Sequence, residues 1–201
     1  MSLSREKLIC SFFIIMTMQK FSGILISSAR TLERNSSSEM FYLLSEILDY
    51  DDVDVNPVPD ISGLSIATFT ENSIITLERI RSELEKDNSI LRYSLKLVPI
   101  QYRTESSIEK MKRIIEIFNE QIKEEDTWRI TLRRRHSQLP REEIIHSLAE
   151  IMTKGSVRLE DPDYYIIVEI LGKWSYLSFS PIAEISVSQY ISEQEKEEFT
   201  F

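Results

Sequence analysis

From Tyr164 to Ile170 the chain is apolar at almost every position, so a strand formed there buries both of its faces. Such a strand is central in its sheet. Gly172-Lys173 follows, and Trp174 to Phe179 is a second β-rich run, which predicts an antiparallel hairpin joined at the glycine. Upstream, Trp128, Ile130 and Leu132 alternate with Arg129, Thr131 and Arg133, placing the apolar residues on one face of a strand and a basic row on the other. Arg134, Arg135 and His136 extend that row.

Helices are marked out by caps and stripes. Ser106-Ser107-Ile108-Glu109 reads as a capping box that opens a helix burying Ile108, Met111, Ile114, Ile115 and Phe118. Pro140 suits a first helical turn, Glu142 and Glu143 favour its positive end, and Ile144, Ile145, Leu148, Ile151 and Met152 form the buried stripe. Lys154-Gly155-Ser156 reads equally as a glycine turn that brings backbone N–H groups to a phosphate and as a helix C-cap. Asp161-Pro162-Asp163 is a structural turn.

The N-terminal half has a different rhythm. Gly23 to Ser27 is a short buried strand, Ser36-Ser37-Ser38-Glu39 reads as a capping box for a helix with Met40, Leu43, Leu44 and Ile47 inside, and strands follow near Val53 to Val58 and Leu64 to Phe69. Asn72 caps a helix burying Ile74, Leu77, Ile80 and Leu84, and Leu91 to Val98 alternates as a strand. This β-α-β-β-α-β order predicts a ferredoxin-like sandwich over residues 21–103 of an α+β chain. Residues 104–180 form the second domain, and residues 181–201 read as an acidic tail.

With 201 residues, 42% hydrophobic and 28% charged, the chain has the composition of an ordinary globular protein of one or two domains. Its single cysteine, Cys10, excludes an intrachain disulfide and a multi-cysteine zinc site and fits a reducing, cytoplasmic setting. Leu8 to Met18 is apolar and follows Arg5 and Lys7, but it is too short to span a bilayer and is followed by no small-residue cleavage site. Residues 1–20 are therefore read as an extension or a mis-assigned start, with Met16 and Met18 as alternatives. A net charge of −9 argues against a general nucleic-acid coat, yet Trp128 to Arg158 holds seven basic residues against three acids. The acids gather elsewhere, as five aspartates between Asp49 and Asp60 and five glutamates after Pro181.

Catalytic signatures are missing. Four glycines compose no phosphate loop, nucleophile elbow or dinucleotide fingerprint, and His136 and His146 stand apart from any cysteine, so no metal or cofactor is expected. Arginines in a row bind phosphates bidentately and stack on bases, which makes this segment a candidate RNA clamp; the plain alternative is that they solvate a strand end.

The order of these features resembles a THUMP domain protein, and in particular the stand-alone family that assists tRNA cytidine acetylation. The likeness runs over residues 22–180 and rests on Gly23-Ile24-Leu25-Ile26, Leu97-Val98-Pro99-Ile100, Arg133-Arg134, Glu143-Ile144-Ile145, Val157-Arg158-Leu159 and Pro162-Asp163. Arg158 departs from the acid that the family carries between its valine and leucine. The resemblance implies a non-catalytic adaptor that binds tRNA by the acceptor stem and 3′ end and presents it to an RNA cytidine acetyltransferase for N4-acetylcytidine formation, with no role for DNA or a membrane. The residues expected to touch RNA are Arg129, Arg133, Arg134, Arg135 and His136 on the row, with Lys154, Gly155, Ser156 and Arg158 at the turn. The competing reading is a ferredoxin-like regulatory or oligomerisation module that binds no RNA.

Overall fold

The computed structural model describes residues 19–190; the apolar segment 8–18 with Cys10, and the acidic residues from Glu193 onward, lie outside the described residues. The chain divides into two compact units, one built from Ser22–Ile100 with the segment that begins at Ile182, the other from Gln101–Pro181 with the chain up to Phe21.

In the first unit β1 (Gln19–Ser28), α1 (Glu33–Tyr42), β2 (Asp54–Pro57), β3 (Leu64–Thr68), α2 (Ser73–Lys86) and the start of β4 (Ser94–Glu105) follow in order. The strands lie in the order β2-β3-β1-β4, with β1 and β2 both antiparallel to β3. This is the order a β-α-β-β-α-β chain reaches in a ferredoxin-like arrangement. Ile24 and Ile26 of β1 meet Met40 of α1, Leu43 and Leu44 of the π-helical turn that continues it, and Leu77, Ile80 and Leu84 of α2 in one buried cluster. Asn72 caps α2 as its sequence predicts, its side-chain oxygen accepting the N–H groups of Ile74 and Ile75 at 2.9 and 3.3 Å.

Three details differ from expectation. The serines at 36–38 do not open a helix: α1 begins at Glu33 and buries Ser36 and Ser37 against the sheet, with hydroxyl contacts to Ser94 at 2.8 Å and Ser65 at 3.0 Å. Glu39 is spent across the fold, accepting the N–H groups of Arg92, Tyr93 and Ser94, because several charge-assisted bonds to a strand entrance outweigh one local cap. Second, the strand expected to end at Val98 runs through Pro99 to Glu105. Proline is tolerated there because it falls between two paired stretches, Lys96-Leu97 against β9 (Ile185–Ser186) and Tyr102–Glu105 against β8 (Trp174–Ser180). Third, the tail expected from residue 181 is structured at its start. β9 lies on β4, Ile185 and Val187 enter the core, and Lys96 pairs with Glu184 at 2.6 Å.

The second unit contains the end of β4, α3 (Ile108–Gln121), β5 (Thr127–Arg135), α4 (Arg141–Ala149), β6 (Ser156–Val157), β7 (Tyr164–Leu171) and β8. Its strands lie in the order β4-β8-β7-β5-β6, with β5 parallel to both β6 and β7. β7 sits between β5 and β8 and forms the expected antiparallel hairpin with β8, Gly172 adopting φ +60° at the turn. Trp128 and Leu132 of β5, Ile166, Val168 and Ile170 of β7, and Leu177 and Phe179 of β8 pack against Ile114, Ile115 and Phe118 of α3 and Ile144 and Leu148 of α4. Both helices therefore cover one face of this sheet. Among the described residues no helix is long and apolar enough to cross a membrane.

Candidate nucleic-acid interface

Strand alternation turns Arg129, Arg133 and Arg135 away from the helices, as the sequence predicts, but β5 spreads the row along its length. Arg129 and Arg135 are separated by roughly 20 Å at the rise of an extended chain. The candidate residues thus fall into two groups. Lys154, Gly155, Ser156 and Arg158 join Arg129 at the start of β5, while Arg133, Arg134, Arg135 and His136 gather at its end.

At the start of β5 the residues are engaged with one another. Gly155 adopts φ +67°, and a Cβ there would lie 2.6 Å from the Asp126 carbonyl oxygen and 3.1 Å from the Trp128 ring. It is neither a helix C-cap, since α4 ends at Ala149, nor a free phosphate loop: it lets the chain pass close against β5. The Lys154 carbonyl accepts the Trp128 indole N–H at 3.0 Å, Ser156 N–H donates to Asp126 at 3.0 Å, and Arg158 N–H donates to Trp128 at 3.0 Å. The Arg129 guanidinium donates to the Leu159 carbonyl at 2.6 Å. Asp163 accepts both the N–H and the hydroxyl of Thr127 at 2.8 and 2.7 Å, which holds its carboxyl below the usual aspartate value, with a further pull from Arg158. The Asp-Pro-Asp segment is thus a structural turn, as the sequence predicts.

The end of β5 is built differently. His136, at φ +54°, turns the chain out of the strand, and the loop to Leu139 is braced by the Arg134 guanidinium, which donates to the Leu139 carbonyl. That loop is one wall of a cleft of about 560 Å³, whose other walls are the β4–α3 junction at Glu105–Ser107 and the hairpin turn with Lys173 and Trp174. Backbone bonds tie the walls together: Gly172 N–H donates to Arg135 at 2.9 Å and Ser106 N–H to Lys173 at 2.8 Å. The cleft lies beyond the carboxyl ends of the parallel strands β5 and β7, where open α/β sheets bind ligands. Ser107 opens α3 without a side-chain cap bond, so the expected capping box is not closed there. Its volume and its mixture of ring, hydroxyl, amide and cationic groups suit a nucleotide-sized guest.

Two features of this end escape a reading of local sequence. Glu169, the one acid in β7, is buried beside the arginines, its Oε1 2.9 Å from Arg133 and its Oε2 3.2 Å from Arg135. Burial pushes its carboxyl above the ordinary glutamate value while both arginines pull it back. Arg103 of β4 lies with its guanidinium carbon 3.9 Å from the centre of the Trp174 ring, and Lys173 reaches within 5.7 Å of it. Arg103 follows a strand that sequence alone ends at Val98, and Lys173 reads only as a turn residue.

Residues 102–180 match the family model described as the THUMP domain. These residues form a THUMP domain, an RNA-binding module, and they span the end of β4, both helices of the second unit and its hairpin. No match was found among curated proteins. Among solved structures the chain is similar to PH1313 from Pyrococcus horikoshii Ot3, at 17% identity and a TM-score of 0.56, covering 82% of this chain and 55% of that one. It is also similar to TrmN from Thermus thermophilus, at 16% identity and a TM-score of 0.50, covering 78% of this chain and 45% of that one. A 4-thiouridine synthetase in complex with RNA and bound ATP gives 11% identity and a TM-score of 0.52 over 83% of this chain and 42% of that one. The chain spans about half the length of these structures or less, and the likeness is one of fold.

Proposed function

We propose that this chain is a tRNA-binding adaptor: its THUMP domain holds tRNA by the acceptor stem and 3′ end and presents it to an RNA cytidine acetyltransferase for N4-acetylcytidine formation, with no chemistry of its own. The observation that carries the RNA-binding part is a nucleotide-sized cleft at the end of β5 lined by His136, Lys173 and Trp174, with Arg133, Arg134 and Arg135 on the strand that leads into it. Guanidinium groups on a strand give phosphates fixed, permanently charged partners, and the cleft gives an unpaired terminal nucleotide a place beside them. The fold shared with a synthetase solved with RNA supports a role in tRNA modification. The acetyltransferase step is supported by the motif order of the sequence, from Gly23-Ile24-Leu25-Ile26 to Pro162-Asp163.

The test is direct binding of intact tRNA, tRNA trimmed of its single-stranded 3′ end, and tRNA with an altered anticodon loop, followed by recovery of the chain with its partners from native lysate. Trimming the 3′ end is expected to weaken binding more than changing the anticodon loop, and an acetyltransferase is expected in the recovered material. Equal losses for the two tRNA variants would overturn the acceptor-end reading, and recovery of a different tRNA-modifying enzyme would overturn the acetylation step.

A further inference from the structure

We propose that Glu169 is a positioning residue for RNA recognition, holding the guanidinium groups of Arg133 and Arg135 as a paired fork that reads the spacing of phosphates and not merely their charge. The inference rests on the RNA-binding reading above and adds to it a residue that touches no RNA. In the register of β5 and β7, Arg133 lies directly across from Glu169, and Arg135 lies two residues further along the same face. The carboxylate meets both, Oε1 accepting from Arg133 at 2.9 Å and Oε2 from Arg135 at 3.2 Å. Glu169 is 2% exposed, whereas the arginine side chains are 33% and 32% exposed, so the shared anchor is buried and each guanidinium stem reaches the surface.

The neighbouring strands continue the row. Glu169 is in register with Tyr176 of β8, and Tyr176 with Arg103 of β4. Phe21 packs edge-on against Tyr176 with ring centres 5.6 Å apart, closing that side. An arginine carries its five N–H donors in a rigid plane, so a contact to a buried carboxylate oxygen fixes the orientation of that plane. Two unanchored arginines would supply the same charge with far less order. Burying a carboxylate in an otherwise apolar strand costs stability that the ion pairs only offset, and what it returns here is orientation.

The experiment compares the full chain with Glu169→Gln and with the double variant Arg133→Lys/Arg135→Lys, measuring affinity for intact tRNA and for poly(U) at one salt concentration, with thermal melts as a folding control. Removing the carboxylate charge is expected to leave poly(U) binding equal or several-fold tighter, while the preference for tRNA over poly(U) falls about tenfold, the scale of a lost bidentate contact. The double lysine variant keeps both charges and is expected to lose the same preference; it carries the test should Glu169→Gln fail to fold. If both RNAs shift by the same factor, or neither shifts, the positioning role is overturned while RNA binding stands. If the parent chain binds neither RNA, the RNA reading falls and this inference with it.

Discussion

The two ends of β5 use similar residues for opposite purposes. At its start Arg129, Lys154, Gly155, Ser156 and Arg158 surround a turn in which hydrogen bonds run between protein groups, and Asp126 and Asp163 lie among them. At its end the arginines lead into the loop that walls a cleft, and the acid among them, Glu169, is buried. The first end is a turn held by protein hydrogen bonds, and the second opens onto a cleft.

The sharpest way to break this contrast is Gly155→Ala. The added methyl falls against the Asp126 carbonyl at a positive φ, and a destabilisation of about 3 kcal/mol is expected in urea melts, with RNA affinity of the folded fraction unchanged. A loss of RNA affinity without a loss of stability would turn the assignment around. Next in size is Arg135→Ala or Lys173→Ala at the other end, each expected to weaken tRNA binding by roughly 1 kcal/mol, with little change in melting temperature for Lys173→Ala and a lower one for Arg135→Ala, which leaves the buried Glu169 one partner fewer. Arg158→Ala, measured in parallel, is expected to change tRNA affinity by less than either.

The smallest effects are in pH, and their signs oppose. Glu169 has a folded-state pKa above its ordinary 4.5, so the folded chain holds the proton more tightly than the unfolded chain does. Its contribution is full below the unfolded value and is lost as pH rises through the folded one. Asp163 has a folded-state pKa below its ordinary 3.8, so its contribution is present above that value and is lost as pH falls through the folded one. Melts of Glu169→Gln against the parent are therefore expected to shift in the variant's favour as pH rises above the ordinary glutamate value, and those of Asp163→Asn in the variant's favour as pH falls below the ordinary aspartate value. Shifts of the same sign at both ends would erase the distinction.

Much of the fold was legible because periodicity is local. The alternation of Trp128, Ile130 and Leu132, the doubly apolar β7 and the capped α2 all sit in the structure as read. The misreadings share a cause, which is that a distant partner decides. Glu39 leaves a cap because a strand entrance offers it three N–H groups, and Pro99 lies where one edge of its strand changes partner. Ile185 and Val187 enter the core from a segment whose composition reads as solvated. The site divides in the same way: the arginine row shows in the sequence, but Glu169 beneath it and Trp128 beside Gly155 are set by strand register.

The most direct test of the account is the salt dependence of tRNA binding by the parent chain, Arg134→Ala and Arg158→Ala. The account predicts that the slope of log affinity against log salt falls in magnitude by about 1 for Arg134→Ala and is unchanged for Arg158→Ala. A slope that falls for Arg158→Ala and stays unchanged for Arg134→Ala would place the RNA at the wrong end of β5 and contradict it.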